Sequence, residues 1–170
     1  MVKPENALES FQRELLAGRI QPQPSPLDPK LFIYVDRPMG EPRVSYARMA
    51  GKTVTAFAMF AFADPIEGTP CYGIGYAVPE PYRNQGRAKE IINAAIADLQ
   101  AALGPRGCKL FYVEAIVGAD NRASQRVAEQ LISDTPVAVT DKLSGLPAFQ
   151  YARKIERPRK QGGNAKRPKP

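Results

Sequence analysis

One stretch, VPEPYRNQGRAKEIINAAIADLQ at residues 78–100, constrains the fold of this chain more than any other. Six apolar residues of its second half recur at helical spacing: Ala88, Ile91, Ile92, Ala95, Ile96 and Leu99. This periodicity predicts an amphipathic helix with one buried face. Arg83 and Arg87 stand just before it, although the positive end of a helix dipole favours anions. The stretch therefore predicts a loop and a helix at whose start a negative charge is missing.

The loop before this helix is suited to hold a phosphate. A strand predicted in TPCYGIGYAV ends at Val78, so backbone N–H groups and the helix dipole converge beyond it. Gly86 lets the backbone approach a ligand closely, and Arg83 and Arg87 would reinforce the site. A solvated, arginine-rich loop without a ligand is the alternative. No GxxxxGK[ST] motif occurs and GIG lies inside a predicted strand, so nucleotide triphosphatases and dinucleotide-binding proteins are not supported.

The rest of the chain alternates strand and helix patterns without an internal repeat. A helix is predicted over residues 5–17, followed by a proline-rich connector at 21–29 that should run extended over the surface. Strands are predicted in KLFIYVD, in a hairpin turning at Ala50–Gly51, in KLFYVEAIV and in a final hairpin, TPVAVTDKLSGLPAFQYARKI; DNRASQRVAEQLI predicts a helix. The predicted fold class is α/β, a mixed and mostly antiparallel sheet with helices packed on it.

Composition excludes several classes of protein. A chain of 170 residues with 44% hydrophobic content is long enough for one domain with a buried core. No apolar run approaches the roughly 18 residues of a membrane span, and the acidic N-terminal segment does not resemble a secretory signal, so we expect a cytoplasmic protein without a membrane partner. The chain has no histidine, and Cys71 and Cys108 lack metal-ligand spacing. We therefore expect no metal site.

The net charge of +7 belongs to the C-terminal segment. From Arg153 onward the chain holds eight Lys/Arg and one acid, whereas the residues before it hold sixteen of each sign. We therefore predict a domain over residues 1–156 and a basic, disordered tail over 157–170. The tail is either a solubilising segment or a nucleic-acid-binding arm, and contact with RNA through it is left open.

The segment VPEPYRNQGRA resembles the acetyl-CoA-binding loop of the GCN5-related N-acetyltransferase (GNAT) superfamily. The superfamily pattern [RQ]-x-x-G-x-[GA] is matched by Arg83, Gly86 and Ala88. Downstream, the motif N-x-x-S-x-x-V-A that begins at Asn121 is similar to the branch that includes the ribosomal-protein alpha-amino acetyltransferases. The resemblance covers roughly residues 44–153 and implies the acetyltransferase fold.

The resemblance also implies a cofactor, acetyl-CoA, and the residues that bind it. The loop backbone would bind the pyrophosphate, and the backbone of Val78 would hydrogen-bond the cofactor near its thioester. Asn121 would contact the cofactor arm, or cap the helix that follows it. The implied cofactor-binding residues are Val78, Arg83, Asn84, Gln85, Gly86, Arg87, Ala88 and Asn121.

Proton transfer is assigned to two residues. Glu114 is a lone acid in an apolar strand beside the predicted cleft and is the candidate general base, with an ion-paired structural carboxylate as the alternative. Many relatives carry a tyrosine as the acid at the position of Ala128, so Ser124 is the implied substitute. Ser124 would equally serve as a first-turn serine of a helix. Tyr151 on the last strand is a weaker candidate.

These observations predict an acetyl-CoA-dependent N-acetyltransferase that transfers acetyl to a primary amine by direct attack. The acceptor is left open between a protein N-terminus, a lysine, a small amine, an antibiotic and the amino group of an aminoacyl-tRNA. The alternative is an acyl-CoA-binding or nucleic-acid-binding module without catalysis, because the usual tyrosine is missing. Whether the chain forms a homodimer is also left open.

Overall fold

The computed structural model describes residues 3–156, so the basic tail predicted at 157–170 lies outside the described residues. In chain order the helices and strands are α1 Pro4–Leu16, β1 Gln23–Pro24, β2 Leu31–Asp36, β3 Arg43–Ala50, β4 Thr53–Ile66, β5 Thr69–Ala77, α2 Arg87–Leu103, β6 Leu110–Gly118, α3 Arg122–Leu131, β7 Val137–Thr140 and β8 Pro147–Glu156. Short 3₁₀ turns occupy Pro38–Gly40, Glu80–Tyr82 and Gly104–Arg106. Within residues 3–156, no helix combines the length and apolar character needed to cross a membrane.

The strands form one eight-stranded sheet in the order β1-β2-β3-β4-β5-β6-β8-β7. Neighbouring strands are antiparallel except β5 and β6, which run parallel because the crossover helix α2 joins them. The prediction of a mixed, mostly antiparallel sheet with packed helices is therefore confirmed.

The larger core lies between the sheet and helices α2 and α3. The helical face predicted from the apolar periodicity is the face that α2 buries, since Ile91, Ile92 and Ala95 have no exposed surface. These side chains pack with Phe111 and Val113 of β6 and with alternate residues of β3 and β4. The sequence-based prediction of this helix and of its buried face is confirmed.

Helix α1 covers the opposite face of the sheet. Its Phe11 ring lies 5.4 Å from the ring of Phe57 on β4 and 6.3 Å from that of Tyr34 on β2. Gln12 extends the contact through two hydrogen bonds to the β3–β4 hairpin: its Nε2 donates to the Lys52 carbonyl at 2.8 Å, and its Oε1 accepts from the Val54 N–H at 2.7 Å. The sheet is therefore covered on both faces, and α1 is part of the folded unit.

The proline-rich connector differs from the prediction that it runs over the surface. Gln23 and Pro24 form the edge strand β1, and the Ser25 side chain is buried beneath α2. The Ser25 hydroxyl donates to the carboxylate of Asp98, which also accepts from the Tyr46 hydroxyl at 3.2 Å. The surface prediction is wrong at Ser25, because the buried Asp98 carboxylate takes the Ser25 hydroxyl as a second hydrogen-bond donor beside Tyr46.

An ion-pair network then fastens the connector to the start of α2. Arg48 of β3 bonds Asp28 of the connector at 2.6 Å and lies 3.2 Å from the carboxylate of Glu90 in the first turn of α2. The Arg48 side chain is only 14% exposed, so solvent screens these pairs less than surface pairs. The connector, β3 and α2 are thus held together by charge as well as by packing.

Replacing Phe11 with alanine tests whether α1 is an integral part of the core. We expect Phe11→Ala to lower the free energy of unfolding by about 3 kcal/mol or more, since it removes a buried ring and leaves a cavity. Glu9→Ala on the exposed face of the same helix should change it by less than about 0.5 kcal/mol. Chemical denaturation of the three proteins measures both values. Equal stability of the two variants would show that α1 does not contribute to the core.

Candidate active site

The strands β5 and β6 part at their carboxyl ends and open a wedge in the sheet. Their parallel ladder joins residues 71–73 to residues 112–114, and no further pair forms between them in the described chain. β5 nevertheless continues to Ala77 and β6 to Gly118. Helices α2 and α3 begin just after these strand ends, so both helix N-termini flank the wedge.

The loop from β5 to α2 adopts the special backbone geometry that its sequence suggests. Asn84 and Gly86 have left-handed conformations, with φ of 58° and 74°. Gly86 is the N-cap of α2, and no side chain caps the helix there. A Cβ on Gly86 would meet open space within 4 Å, so its positive φ is what favours glycine here. The first N–H groups of α2 are therefore left for a ligand or water.

The two arginines of the loop brace it from both sides. Arg83 Nε donates to the Val78 carbonyl at 3.0 Å. Arg87 Nη1 donates to the buried Thr55 hydroxyl at 3.2 Å, and its guanidinium lies 5.1 Å from the centre of the Tyr82 ring. Their positive charges remain beside the helix start, while their side chains hold the loop in shape. Sequence reasoning had assigned these arginines only to the ligand.

A cavity of about 680 Å³ lies at the carboxyl end of β5 and reaches the loop and the start of α3. Eight of the ten residues predicted for the site line it: Val78, Arg83, Asn84, Gly86, Arg87, Ala88, Asn121 and Ser124. Gln85 is not among the lining residues, because its side chain turns back to the Pro81 carbonyl and to Arg87. The volume lies within the range of cavities that bind cofactors and small molecules.

Within residues 3–156, four basic residues line this cavity, against a single acid. Arg83, Arg87, Lys89 and Arg126 line it together with Glu5 of α1. Sequence reasoning missed Lys89 and Arg126. The missed signal is the spacing of Ala123, Arg126, Val127 and Gln130, which places one face of α3 on the cavity. Combined with the uncapped start of α2, these charges suit a ligand with several phosphates.

Asn121 and Ser124 both lie at the start of α3. The Asn121 side chain accepts a hydrogen bond from the Ser124 N–H at 3.0 Å, so Asn121 is the N-cap of α3 and lines the cavity as well. The Ser124 carbonyl accepts from the Tyr76 hydroxyl at 2.9 Å across the wedge. Burial raises the pKa of Tyr76 to about 12. Tyr76 is therefore a protonated hydroxyl in the cavity that sequence reasoning did not assign.

Glu114 lies at the fork where the two strands part. It pairs with Gly73 in the last rung of the parallel ladder, and its carboxylate accepts from Gln150 Nε2 at 2.6 Å. Its neighbours Val113 and Ala115 are buried against α2 and α3, so Glu114 points to the face that α1 partly covers. The structure therefore places Glu114 beside the wedge and outside the lining of the cavity.

Two further positions bear on proton transfer. Tyr151 is almost completely buried in the core beneath α3, and burial raises its pKa. Ala128, where many relatives of the superfamily carry a tyrosine, has no exposed surface. A tyrosine at this position would have to displace packed neighbours.

Within residues 3–156, no group of three or more Cys, Asp and Glu side chains could hold a metal ion.

Comparisons with known proteins agree with the sequence motif. The family model described as "Acetyltransferase (GNAT) family" matches residues 9–131. A GNAT-family acetyltransferase from Streptococcus pneumoniae superimposes with a TM-score of 0.50 at 11% identity, covering 66% of each chain. An acetyltransferase from Salmonella typhimurium, described as modifying the N-terminal serine of a 50S ribosomal subunit protein, gives 0.46 at 24% identity, covering 67% of this chain and 64% of that one.

These structural matches concern the fold. The chain spans slightly less than two thirds of the length of these two solved structures. No curated protein matches the sequence closely enough to count as a relative.

Two substitutions of Gly86 test the geometry of the loop. Gly86→Ala should lower the free energy of unfolding by about 1 to 2 kcal/mol, because an alanine is strained at a φ of 74°. Gly86→Asn adds more atoms yet should cost less, since asparagine tolerates the left-handed region. Thermal or chemical unfolding of the original protein and the two variants gives the order of their stabilities. An asparagine variant less stable than the alanine variant would indicate that side-chain size, and not backbone conformation, determines stability at position 86.

Proposed function

The chain belongs to the acetyltransferase (GNAT) family, whose model matches most of its length, and from this premise we propose that it is an acetyl-CoA-dependent N-acetyltransferase acting on a primary amine. The observation that carries the proposal is the uncapped start of α2 within a cavity lined by four basic residues. A helix start of this kind is a site for phosphate, and acetyl-CoA carries several phosphates. Bound there, acetyl-CoA supplies a thioester carbonyl that an amine can attack.

The residues that hold the cofactor are proposed from the cavity lining. N–H groups of the first turn of α2 would bind the pyrophosphate, with Gly86 and Ala88 offering no side chain large enough to block the approach. The charges of Arg83 and Arg87 would support it from behind the loop. Lys89 and Arg126 would contact phosphate directly. The backbone of Val78, at the edge of the wedge, would stabilise the charge that develops on the carbonyl oxygen.

The acceptor amine is proposed to enter from the α1 side of the sheet. Glu5 of α1 is one of the lining residues, so the cavity extends to this side. Glu114 points to the same side at the fork of the strands. In the reaction the amine nitrogen bonds the acetyl carbon, the carbon–sulfur bond breaks, the amine loses a proton and the departing thiolate gains one. Glu114, directly or through water, is the proposed base.

Two hydroxyls compete for the role of proton donor to the thiolate. Ser124 lines the cavity at the start of α3, and Tyr76 lines it from β5. The Tyr76 hydroxyl already donates to the Ser124 carbonyl, so Tyr76 and Ser124 lie next to each other in the cavity. We propose Ser124 as the donor, with Tyr76 as the competitor that the structure adds.

A second candidate function is an acyl-CoA-binding module without turnover. The observation that favours it is Ala128, which replaces the usual tyrosine and is fully buried. Incubating the protein with acetyl-CoA and a panel of peptide N-termini, lysine, small amines and aminoacyl groups distinguishes the two. Release of free CoA with any acceptor supports the enzyme, and binding without release on any of them supports the silent module. A nucleic-acid role through the tail remains a prediction.

Gly86→Glu tests the cofactor site. The substitution puts a negative charge where phosphate would approach the backbone, so isothermal titration should detect no acetyl-CoA binding. Two controls separate charge from strain: Gly86→Ala carries the backbone strain alone, and Asn93→Glu adds the same charge on the exposed face of α2. Both controls should bind acetyl-CoA. Unchanged affinity in a folded Gly86→Glu protein would contradict the assignment of the site.

Substitutions of three polar side chains test the proton path. Glu114→Gln should lower turnover at neutral pH by about 10²- to 10⁴-fold, the usual effect of removing a general base, with cofactor affinity nearly intact. Ser124→Ala should lower it less. Tyr76→Phe should leave it close to the original value if Ser124 is the donor. A larger loss in Tyr76→Phe than in Ser124→Ala would transfer the donor role to Tyr76, and an unaffected rate in Glu114→Gln would reduce Glu114 to a structural carboxylate.

A further inference from the structure

A second cavity, of about 490 Å³, lies at the other end of α2. It is enclosed by the last turns of this helix, by β2, β3 and β4, and by connector residues 26 and 27. Among the described residues the two cavities share no lining side chain. Ala88 of the first cavity and Asp98 of the second are roughly 15 Å apart along the axis of one helix. The second cavity is therefore separate from the proposed active site.

Most of the wall of this cavity is apolar, from its depth to its rim. Tyr46, Phe60 and Leu99 form the deep part and are almost completely buried. The rim is formed by three large apolar side chains that are unusually exposed: Leu27 at 60%, Val35 at 60% and Phe62 at 58%. Exposed apolar residues around the opening of a cavity are typical of a ligand-binding site, where a bound ligand covers them.

One charged group lies in the deep part. Asp98 lines the cavity although its side chain is on the buried side of α2 and only 6% of the residue is exposed. Its carboxylate accepts hydrogen bonds from the Ser25 and Tyr46 hydroxyls. A carboxylate has about four acceptor positions, so two donors leave it capacity for a further one. Burial and the Asp98 charge raise the pKa of Tyr46, which keeps its hydroxyl a donor to Asp98.

The other charged group of the lining, Arg106, stands at the mouth. Arg106 is exposed, so water and salt screen its charge. The Asp98 carboxylate is enclosed by apolar side chains and is screened much less. A ligand that fills the cavity therefore meets a negative field at its inner end.

We propose that this second cavity binds a small aromatic or alicyclic amine in its protonated form, with the ammonium group donating to Asp98. A neutral apolar ligand would cover the carboxylate without supplying a donor, which is unfavourable. A ligand with its own carboxylate at the inner end would meet a like charge. The rings of Tyr46, Phe60 and Tyr72 provide surfaces for an aromatic ring and for a cation.

The probe is N,N-dimethyl-2-phenylethylamine, because a tertiary amine has no N–H to lose after attack and is not a productive acceptor in the active site. Two compounds of similar size serve for comparison: 2-phenylethanol, which is neutral, and 3-phenylpropanoate, which is anionic. Binding is followed by methyl and amide chemical shifts in NMR titrations of the full chain. The amine should bind about tenfold or more tightly than the alcohol, with the carboxylate weakest. Equal affinities of the amine and the alcohol would overturn the proposal.

Two variants place the probe in this cavity. Asp98→Asn keeps the shape of the side chain but removes its charge and replaces one acceptor oxygen with an NH2 donor. It should remove the preference for the amine over the alcohol. Ala102→Phe adds a ring at the exposed mouth of the cavity without touching the core, and should abolish binding of both compounds. Ala97→Phe, equally exposed on α2 and outside the lining, is its control and should bind the amine as before.

Ala102→Phe keeps the test decisive if Asp98→Asn does not fold. Amine binding that survives in Ala102→Phe would show that the probe binds elsewhere and would overturn the proposal. Acetyl-CoA affinity should be the same in Ala102→Phe and Ala97→Phe, so a failure of this second site is distinct from a failure of the proposed function.

Discussion

The structure depends on how short the parallel ladder between β5 and β6 is. β5 and β6 hold together over only three residues each and then separate, although both strands continue. This separation opens the sheet without breaking its outer ladders, which run antiparallel on both sides. Because each strand leads into a helix, the same separation brings the starts of α2 and α3 to one place. A fully paired β5 and β6 would leave no wedge.

The charges around the wedge follow from this arrangement. A helix start rich in cations is unfavourable on its own, and the structure compensates for it in two ways. Glu90, a carboxylate in the first turn of α2, pairs with Arg48. The Arg87 guanidinium donates to the Thr55 hydroxyl and lies over the Tyr82 ring. The N–H groups remain uncapped by any side chain. The loop is thus stable enough to fold and still complementary to an anion.

The secondary structure and the location of the loop before α2 could be predicted from the sequence, because they depend on local patterns. The apolar spacing of Ile91, Ile92 and Ala95 identified the buried face of α2, and the N-x-x-S motif placed the Asn121 cap. Contacts between distant segments could not be predicted this way. The burial of Ser25 depends on Asp98, 73 residues later, and the position of Glu114 outside the cavity depends on where a ladder ends. Arg126 was missed because its role appears only when α3 is placed beside β5.

The packing of α1 has a consequence for the order in which the chain can fold during synthesis. The helix is synthesised before the sheet on which it packs, and Gln12 finds its hydrogen-bond partners 40 and 42 positions later in the β3–β4 hairpin. Until that hairpin is made, the apolar face of α1 that carries Phe11 has no sheet to cover it. Such non-local closure is slow compared with helix formation. The nascent chain therefore carries an exposed apolar segment for the time it takes to synthesise about forty residues, about 2 to 8 seconds at ordinary translation rates.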